Sequence, residues 1–575
     1  MRLVSELRRR NVLRMAVLYA VAAWLIVQVA DVLIDLAKLP DWVGTAVLWL
    51  LAVGFPIALI FSWFYELTPE GISLEKDVAP GESVTHVTGR RLDFIVISLL
   101  CAAVILFAYD KWWIQGPPEN SIAVLPFADM SLAGDHKYFS DGLAEELLNL
   151  LANVQGLRVT SRTSSFSFDD KSVEIADIAA ALNVAYVLEG SVRRSGDKIR
   201  VTAQLIETGN DVHVWSETFD RQLADIFETQ DEIAALVIES LKITLADQAP
   251  TSTPTDPEVF SMYLQARHLW RQGSEEGIAS AYQLLRQAID IDSNYAPLWV
   301  ALSNVYTYQV DLGQLPWDEG HAKAREAASH ALEIDPNNAL AMAALAWDAM
   351  MVRRDYHSAA THFVAAHRIS RENPTLLGDM ATFAAILGRH DDATEFLAAA
   401  IELDPIDSAK FTNLGAFYLA ANNLDEADAV FTKALELSPG DVWTLQAVVY
   451  LRILQGEAED ALALVDQLEI EFMQLHALPM IYHDLGQLED AYQAVEQLKA
   501  AEGAGITPYE IAEVYAYIGA AEEAFHWLEI GIDSGDSMSL VRLSPFLRVI
   551  SDDHRWQEIL ARVGLADDQV SDIEF

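Results

Sequence analysis

Ala331-Leu-Glu-Ile-Asp-Pro336, Ala400-Ile-Glu-Leu-Asp-Pro405 and Ala434-Leu-Glu-Leu-Ser-Pro439 are three versions of one phrase. The last two prolines lie 34 residues apart and the first two 69, which is two periods plus one inserted residue. A fixed period of this length, closed by a residue that cannot continue a helix, marks a solenoid of helix pairs. One pair cannot bury its apolar face alone, so neighbours stack and leave an extended groove. The pattern points to partner binding before any catalytic motif is sought.

Working outward from the phrase, residues 408–441 form the clearest unit. Phe411, Leu414, Gly415 and Tyr418 mark its first helix, and Ala427, Phe431, Ala434 and Pro439 its second. Small residues at Gly415, Ala427 and Ala434 let two helices cross closely, and Tyr418 and Phe431 fill the space between. Ala393, Leu397 and Ala400 repeat the pattern one unit earlier, and Ala461, Val465 and Leu468 one unit later. Weaker copies carry Gly486 and Ala491, then Gly519 and Ala524; earlier copies run over 258–292 and 296–336, the second with an insertion near 311–318. About eight units are expected, with a helical cap ending near Gly564 and an acidic tail over 566–575.

The chain holds 38 basic and 85 acidic side chains, a net charge of -47. Residues 1–117 account for 10 and 11 of these, leaving 28 against 74 in the remainder. Such a surface repels nucleic acid and excludes it as a partner of the C-terminal part. The single cysteine, Cys101, allows no intrachain disulfide.

Three apolar stretches, at about 15–34, 44–64 and 94–110, are expected to be transmembrane helices. The second has no charge in 21 residues, enough at about 1.5 Å per residue to cross a core of about 30 Å. The first carries Gln28, Asp31 and Asp35 at i, i+3 and i+7, on one helical face. They read either as an intramembrane polar seam facing a neighbouring helix or a second copy, which would make a homodimer, or as a helix end reaching the interface. The third is shorter and is followed by Trp112 and Trp113, which suit a headgroup belt. Arg2, Arg8, Arg9, Arg10, Arg14, Lys76, Arg90 and Arg91 fall on one side of these spans, and only Lys38 and Lys111 flank the other. The positive-inside rule puts the N-terminus in the cytoplasm and everything after Gly116 outside the bacterial inner membrane.

From Ser121 strands and helices alternate. Ile122-Ala-Val-Leu-Pro-Phe127, Leu157-Arg-Val-Thr160 and Val184-Ala-Tyr-Val-Leu188 read as strands. Ser140 or Asp141 is expected to cap a helix running through Asn149. The Ser195-Gly-Asp197 turn should join a hairpin into Val201-Thr-Ala-Gln-Leu-Ile206, with Val212-His-Val-Trp-Ser-Glu217 next and a closing helix over 225–245. The expected architecture is multi-domain: N-terminal transmembrane helices over 1–116, a small α/β domain over 119–247, a linker over 248–257, and an all-α solenoid over 258–565.

Ser121-Ile-Ala-Val-Leu-Pro-Phe127, Tyr138-Phe-Ser-Asp-Gly-Leu-Ala-Glu-Glu-Leu147, Ser161-Arg-Thr-Ser-Ser165, Val187-Leu-Glu-Gly-Ser-Val192 and Trp215-Ser-Glu-Thr-Phe-Asp220 resemble the TolB N-terminal-like domain. That domain precedes tetratricopeptide repeats in bacterial membrane proteins, and the repeats above resemble those. Glu6-Leu-Arg-Arg-Arg-Asn11 and Phe64-Tyr-Glu-Leu-Thr-Pro-Glu-Gly71 look like the same group's membrane segment, and Pro545-Phe546 and His554-Arg-Trp556 like its terminal segment. Some relatives begin with a class III nucleotide cyclase or a winged-helix domain. About 14 residues precede the first span here, so the resemblance implies the scaffold without that output module.

In tetratricopeptide solenoids the concave wall comes mainly from fixed positions of each first helix. Here these give a candidate protein-binding groove of Ala343, Trp347, Met350, Thr382, Ile386, Thr412, Ala416, Leu419, Gln446, Tyr450 and Leu454. Basic residues are absent from the set, which disfavours a clamp for peptide carboxylates. An apolar wall with aromatic residues suits a protein or peptide with an apolar or amphipathic face. The same residues would equally suit packing against the solenoid's own helices or its terminal cap.

No phosphate loop, nucleophile elbow or zinc helix appears. Ser195-Gly-Asp-Lys198 matches Ser-x-x-Lys but falls in a turn. His357, His362 and His367 are five apart and cannot share a helical face. Asp141, Glu145 and Glu146 are read as acidic residues near a helix N-terminus, where the dipole favours them. The expected function is a non-enzymatic, membrane-anchored protein scaffold without cofactor or metal. The other class left open is a sensor that binds a ligand outside and signals through the membrane helices.

Overall fold

The computed structural model describes residues 117–574 apart from 132, 133, 135, 155, 170–172, 211, 243–250, 504, 505, 536 and 537, together with scattered positions between 16 and 74. The chain divides into two units, Met1–Gly116 and Pro117–Phe575.

In the first unit, the described positions 16, 19, 23 and 27 are helical, as are 51 and 54–56. The Tyr19 hydroxyl donates to the Leu51 carbonyl at 2.8 Å, and the Tyr19 and Phe55 rings lie 5.5 Å apart. A hairpin pairs β1 (Tyr65–Thr68) with β2 (Gly71–Leu74). Among the described residues no helix is long and apolar enough to cross a membrane. Most of the expected spans at 15–34 and 44–64, the whole of that at 94–110, and Gln28, Asp31 and Asp35 lie outside the described residues.

The second unit begins with a mixed sheet. Its strands are β3 (Ser121–Val124), β4 (Ala128–Asp129), β5 (Arg158–Val159), β6 (Tyr186–Ser195), β7 (Lys198–Glu207) and β8 (Val212–Gln222). The order is β5-β3-β6-β7-β8, with β3 parallel to β5 and β6, and β6, β7 and β8 antiparallel. Ser195 pairs with Lys198 around a two-residue Gly-Asp turn whose Gly196 has φ +61°, a conformation glycine adopts without strain.

Helices α1 (Lys137–Ala152), α2 (Arg162–Phe166), α3 (Ile175–Leu182) and α4 (Ile226–Ser240) pack on this sheet. α1 starts one turn before the expected cap. The Asp129 carboxylate accepts the His136 amide at 2.9 Å, so the chain is already turned into the helix there, and Ser140 and Asp141 fall inside it, buried. That placement comes from a contact seven residues back, which no local capping pattern carries.

Eight helix pairs follow: α5 (Pro257–Trp270) and α6 (Glu275–Ile291), α7 (Ala296–Asp311) and α8 (Trp317–Ile334), α9 (Ala339–Trp347) and α10 (Tyr356–Ile369), α11 (Pro374–Ile386) and α12 (His390–Leu403), α13 (Ser408–Ala420) and α14 (Leu424–Leu437), α15 (Val442–Gln455) and α16 (Ala458–Val465), α17 (Glu471–Asp484) and α18 (Leu488–Ala500), and α19 (Pro508–Tyr517) and α20 (Ala521–Ser534). Asp256, Asn338, Asn373, Asp407 and Asp441 cap first helices by accepting backbone N–H groups. Gly415 permits a close crossing in its pair: a Cβ there would lie 2.2 Å from the Phe431 ring, which would have to shift. Helices α21 (His554–Arg562) and α22 (Asp567–Val570) end the chain.

One hydrophobic core runs from the sheet into the first pairs. Ile122, Phe139, Leu143 and Leu147 share it with Phe260, Leu264, Leu285 and Leu298. Phe260 stands edge-on to Phe139 at 6.4 Å, and a Cβ on Gly142 would meet Leu264 at 2.8 Å. The α/β layer and the solenoid are therefore packed as one body. Residues 251–256 between them are tied down, with the Ser252 amide on Asp231 at 2.7 Å and the Thr255 hydroxyl on Asp292 at 2.6 Å.

Candidate functional site

The groove residues named from the register belong to the first helices of four successive pairs, except Met350, which lies in a π-helical turn after α9, and the chain's own C-terminal segment lies along much of that face. Met350, Ile386 and Leu419 are buried; Ala343, Trp347, Thr382, Thr412, Gln446, Tyr450 and Leu454 are half-buried; Ala416 is exposed. Met350 and Ile386 share a core with Met538, Val541, Leu547 and Ile550, with Ala343 and Trp347 packed against it. The Ser539 hydroxyl donates to the Met350 carbonyl at 3.4 Å, Arg542 to the Leu387 carbonyl at 3.0 Å, and Arg548 to Asn422 at 2.6 Å.

The centre of this contact is Phe546, 1% exposed. Its ring stands nearly perpendicular to Tyr450 at 5.2 Å, His476 at 6.2 Å and Tyr517 at 5.6 Å, the edge-to-face arrangement that ring quadrupoles favour. Beneath it runs a polar chain. Gln446 donates to the Tyr450 hydroxyl at 2.6 Å, that hydroxyl lies 2.6 Å from His476 Nδ1, and His476 Nε2 lies 3.2 Å from Glu513. Burial, with Glu513 adding to it, pushes the Tyr450 hydroxyl well above its ordinary range, so it stays protonated and can donate to His476. His476, Glu513, Tyr517 and Phe546 were not among the residues expected from sequence. The copies that contain the first three match the repeat pattern weakly, and Phe546 belongs to no repeat.

Towards α13 and α15 the face stays open. Ala409 and Ala416 are exposed, a Cβ on Gly378 would meet nothing, and Trp443 is 58% exposed with Phe472 at 6.4 Å. Asp379 sits on the same side of α11. Burial pushes its carboxyl up to about 7, and Lys410 only partly opposes this.

Two polar junctions join the α/β layer to the solenoid. In the first, Glu145 and Glu146 of α1 meet arginines of α5 and its C-cap: Arg267 lies 3.3 Å from Glu145 and 2.6 Å from Glu146, Arg271 bonds Glu145 at 2.6 Å, and Arg162 adds a contact at 2.9 Å. Burial pushes Glu145 up, but the three guanidinium groups outweigh it and hold the carboxyl at about 2. In the second, Ser161 and Ser164 both donate to Asp404, while Lys410 bonds it at 2.7 Å and Asp407 at 2.5 Å. The Ser161-Arg-Thr-Ser-Ser165 motif thus receives the Asp404-Pro405 end of the repeated phrase. Ile406 packs beside it against the α/β layer's cluster of Ala123, Leu125, Ile178, Leu182 and Val187.

Ser195 to Lys198 is a solvated hairpin turn, and the exposed His357 lies 3.2 Å from Asp572. Among the described residues no group of three or more His, Cys, Asp or Glu side chains is placed to hold a metal ion.

Residues 118–236 match the family model for the second domain of HilA/YgeH-like transcriptional regulators, and residues 411–441 match a tetratricopeptide repeat. A putative adenylate cyclase 3 of Rhizobium meliloti is 36% identical over 193 residues, 33% of each chain. The transcriptional regulator HilA of Salmonella typhimurium is 21% identical over 297 residues, 51% of this chain and 52% of that protein. The chain thus spans about a third and about half the length of these curated relatives. Among solved structures, the Pseudomonas aeruginosa pilF protein covers 39% of this chain at 22% identity with a TM-score of 0.31, and PilW, a type IV pilus biogenesis factor, covers 42% at 17% with 0.29. These alignments take in 98% and 92% of the two solved chains.

Proposed function

We propose that this tetratricopeptide-repeat protein is a scaffold, anchored in the bacterial inner membrane by its N-terminal segment, that recruits protein partners outside the cytoplasm. The observation that carries the reading is the double junction between the α/β layer and the solenoid. The Glu145–Arg267 contact at one end and the Ser161–Asp404 contact at the other hold the two parts in a fixed relation. A partner can therefore be bound across both surfaces without paying to order a hinge. The groove, the open stretch around Trp443 and the sheet face are the surfaces offered. The apolar stretches of the first 116 residues and the basic residues beside them support the anchoring and the orientation.

The TolB N-terminal-like resemblance and the HilA/YgeH-like match concern the same stretch. The relatives' names, a cyclase and a transcriptional regulator, keep a signalling use of this platform in view. Two experiments test the proposal. Alkaline phosphatase fused after Pro118 should be active; inactivity overturns the orientation. Crosslinking in intact cells followed by mass spectrometry should recover a protein partner, and recovery should survive exchange of residues 1–116 for an unrelated anchor. A scaffold tolerates that exchange, whereas a sensor that signals through its own helices loses its output.

A further inference from the structure

We propose that residues 538–550 are a built-in ligand of the groove, and that a partner takes their place with a turn-forming peptide segment bearing an aromatic side chain between basic residues. The inference rests on the scaffold reading and names the ligand chemistry of its groove.

The segment behaves as a docked peptide in three respects. Apart from one short 3-10 turn over Leu547–Ile550, it has no regular structure. It is held mainly by side chains, through Ser539, Arg542 and Arg548, together with the Tyr509 hydroxyl, which donates to the Leu540 carbonyl at 3.4 Å. Its apolar side chains are also divided. Val541, Phe546 and Leu547 are buried in the face, while Val549 is 62% exposed and Leu540 37%.

The face supplies the specificity. Tyr450, His476 and Tyr517 surround one planar ring, and the Gln446–Tyr450–His476 hydrogen bonds fix the orientation of two of those walls. A branched aliphatic side chain would fill part of that volume without the edge-to-face contacts. Charge sets the flanks. Residues 118–575 carry 74 acidic against 28 basic side chains, yet this segment places Arg542 and Arg548 on either side of Phe546 and no acidic residue between 538 and 550. A basic flank is what the surface attracts.

An intramolecular ligand taxes a partner by the small fraction of time the face is open, so weakening the segment should tighten external binding. The test uses the detergent-solubilised full-length protein and a fluorescent peptide with the sequence of residues 539–550. Wild type should bind it weakly, and Phe546→Ala should bind at least about tenfold more tightly. A peptide whose phenylalanine is replaced by alanine should not bind. The more conservative Phe546→Leu should give an intermediate gain with an unchanged circular dichroism spectrum. If neither variant gains affinity, or the alanine peptide binds equally well, the segment is ordinary core and the proposal is overturned. A rise in mass to a dimer on light scattering of Phe546→Ala would assign the face to a second copy and overturn it as well. Peptide binding without any crosslinked partner in cells would leave this inference standing and sink the scaffold reading; a crosslinked partner without peptide binding would do the reverse.

Discussion

The Arg267 guanidinium, buried within α5, lies 2.6 Å from Glu146 and 3.3 Å from Glu145, both on α1 of the α/β layer. A charge so enclosed is tolerated only with its counter-charges in place. Arg267→Met should therefore destabilise the second unit by about 3–5 kcal/mol, because Glu145 is left buried among fewer cations. Urea unfolding measures this, and adding Glu145→Gln should recover part of the loss. A double variant that costs the sum of the Arg267→Met and Glu145→Gln single costs would show no coupling between them.

Two carboxyls of α1 give opposite pH dependences. Glu145 is held at about 2 against an ordinary 4.5, because its guanidinium partners outweigh burial. Its contribution is complete above about pH 5 and is lost as pH falls toward 2. Asp141 is pushed up to about 6 by burial, with Lys137 only partly opposing, so its ionisation costs stability as pH rises from 3.8 through 6. Asp141→Asn should gain about 3 kcal/mol at pH 7.5 and almost nothing at pH 3.5. Melting curves at the two pH values check the difference.

Gly415→Ala should cost about 1–3 kcal/mol, since the new methyl would stand 2.2 Å from the Phe431 ring. Combined with Phe431→Leu, the same change should cost less than the sum of the two, because the smaller side chain makes room. Strict additivity would mean that the close crossing of α13 and α14 is not what favours the glycine.

Ser161→Ala with Ser164→Ala removes two donors from Asp404, which is 1% exposed and keeps only Lys410. Hydrogen bonds to a charged group are worth about 1.5–3 kcal/mol each, so the double variant should lose at least about 3 kcal/mol. Hydrogen exchange should quicken together at 158–167 and 402–410. Faster exchange on only one side of the junction would mean that the contact does not couple the layers.

The repeated phrase, the small-large spacing at Gly415 and Phe431 and the Gly-Asp hairpin turn were legible because each depends on residues a few positions apart. The start of α1 was misread for the complementary reason. Ser140 looks like a cap, but the turn into the helix is held by Asp129, on a separate strand. Glu145 and Glu146 looked like dipole-favoured acids, and two of their three arginine partners lie more than a hundred residues away in α5 and its C-cap. The groove positions were assigned from the repeat register alone. What the register could not give was the cover, since Phe546 belongs to no repeat and meets Tyr450 only once the later pairs have stacked.

By itself, the sequence determined that this protein is a helix-pair solenoid behind a small mixed sheet, because local periodicity and turn chemistry specify each element. Only the tertiary structure decided that sheet and solenoid share one core, that two buried polar junctions lock them together, and that the C-terminal segment fills much of the groove. Each of these depends on surfaces and charges from distant parts of the chain finding one another, and burial makes such meetings energetically decisive while leaving no local mark in the chain.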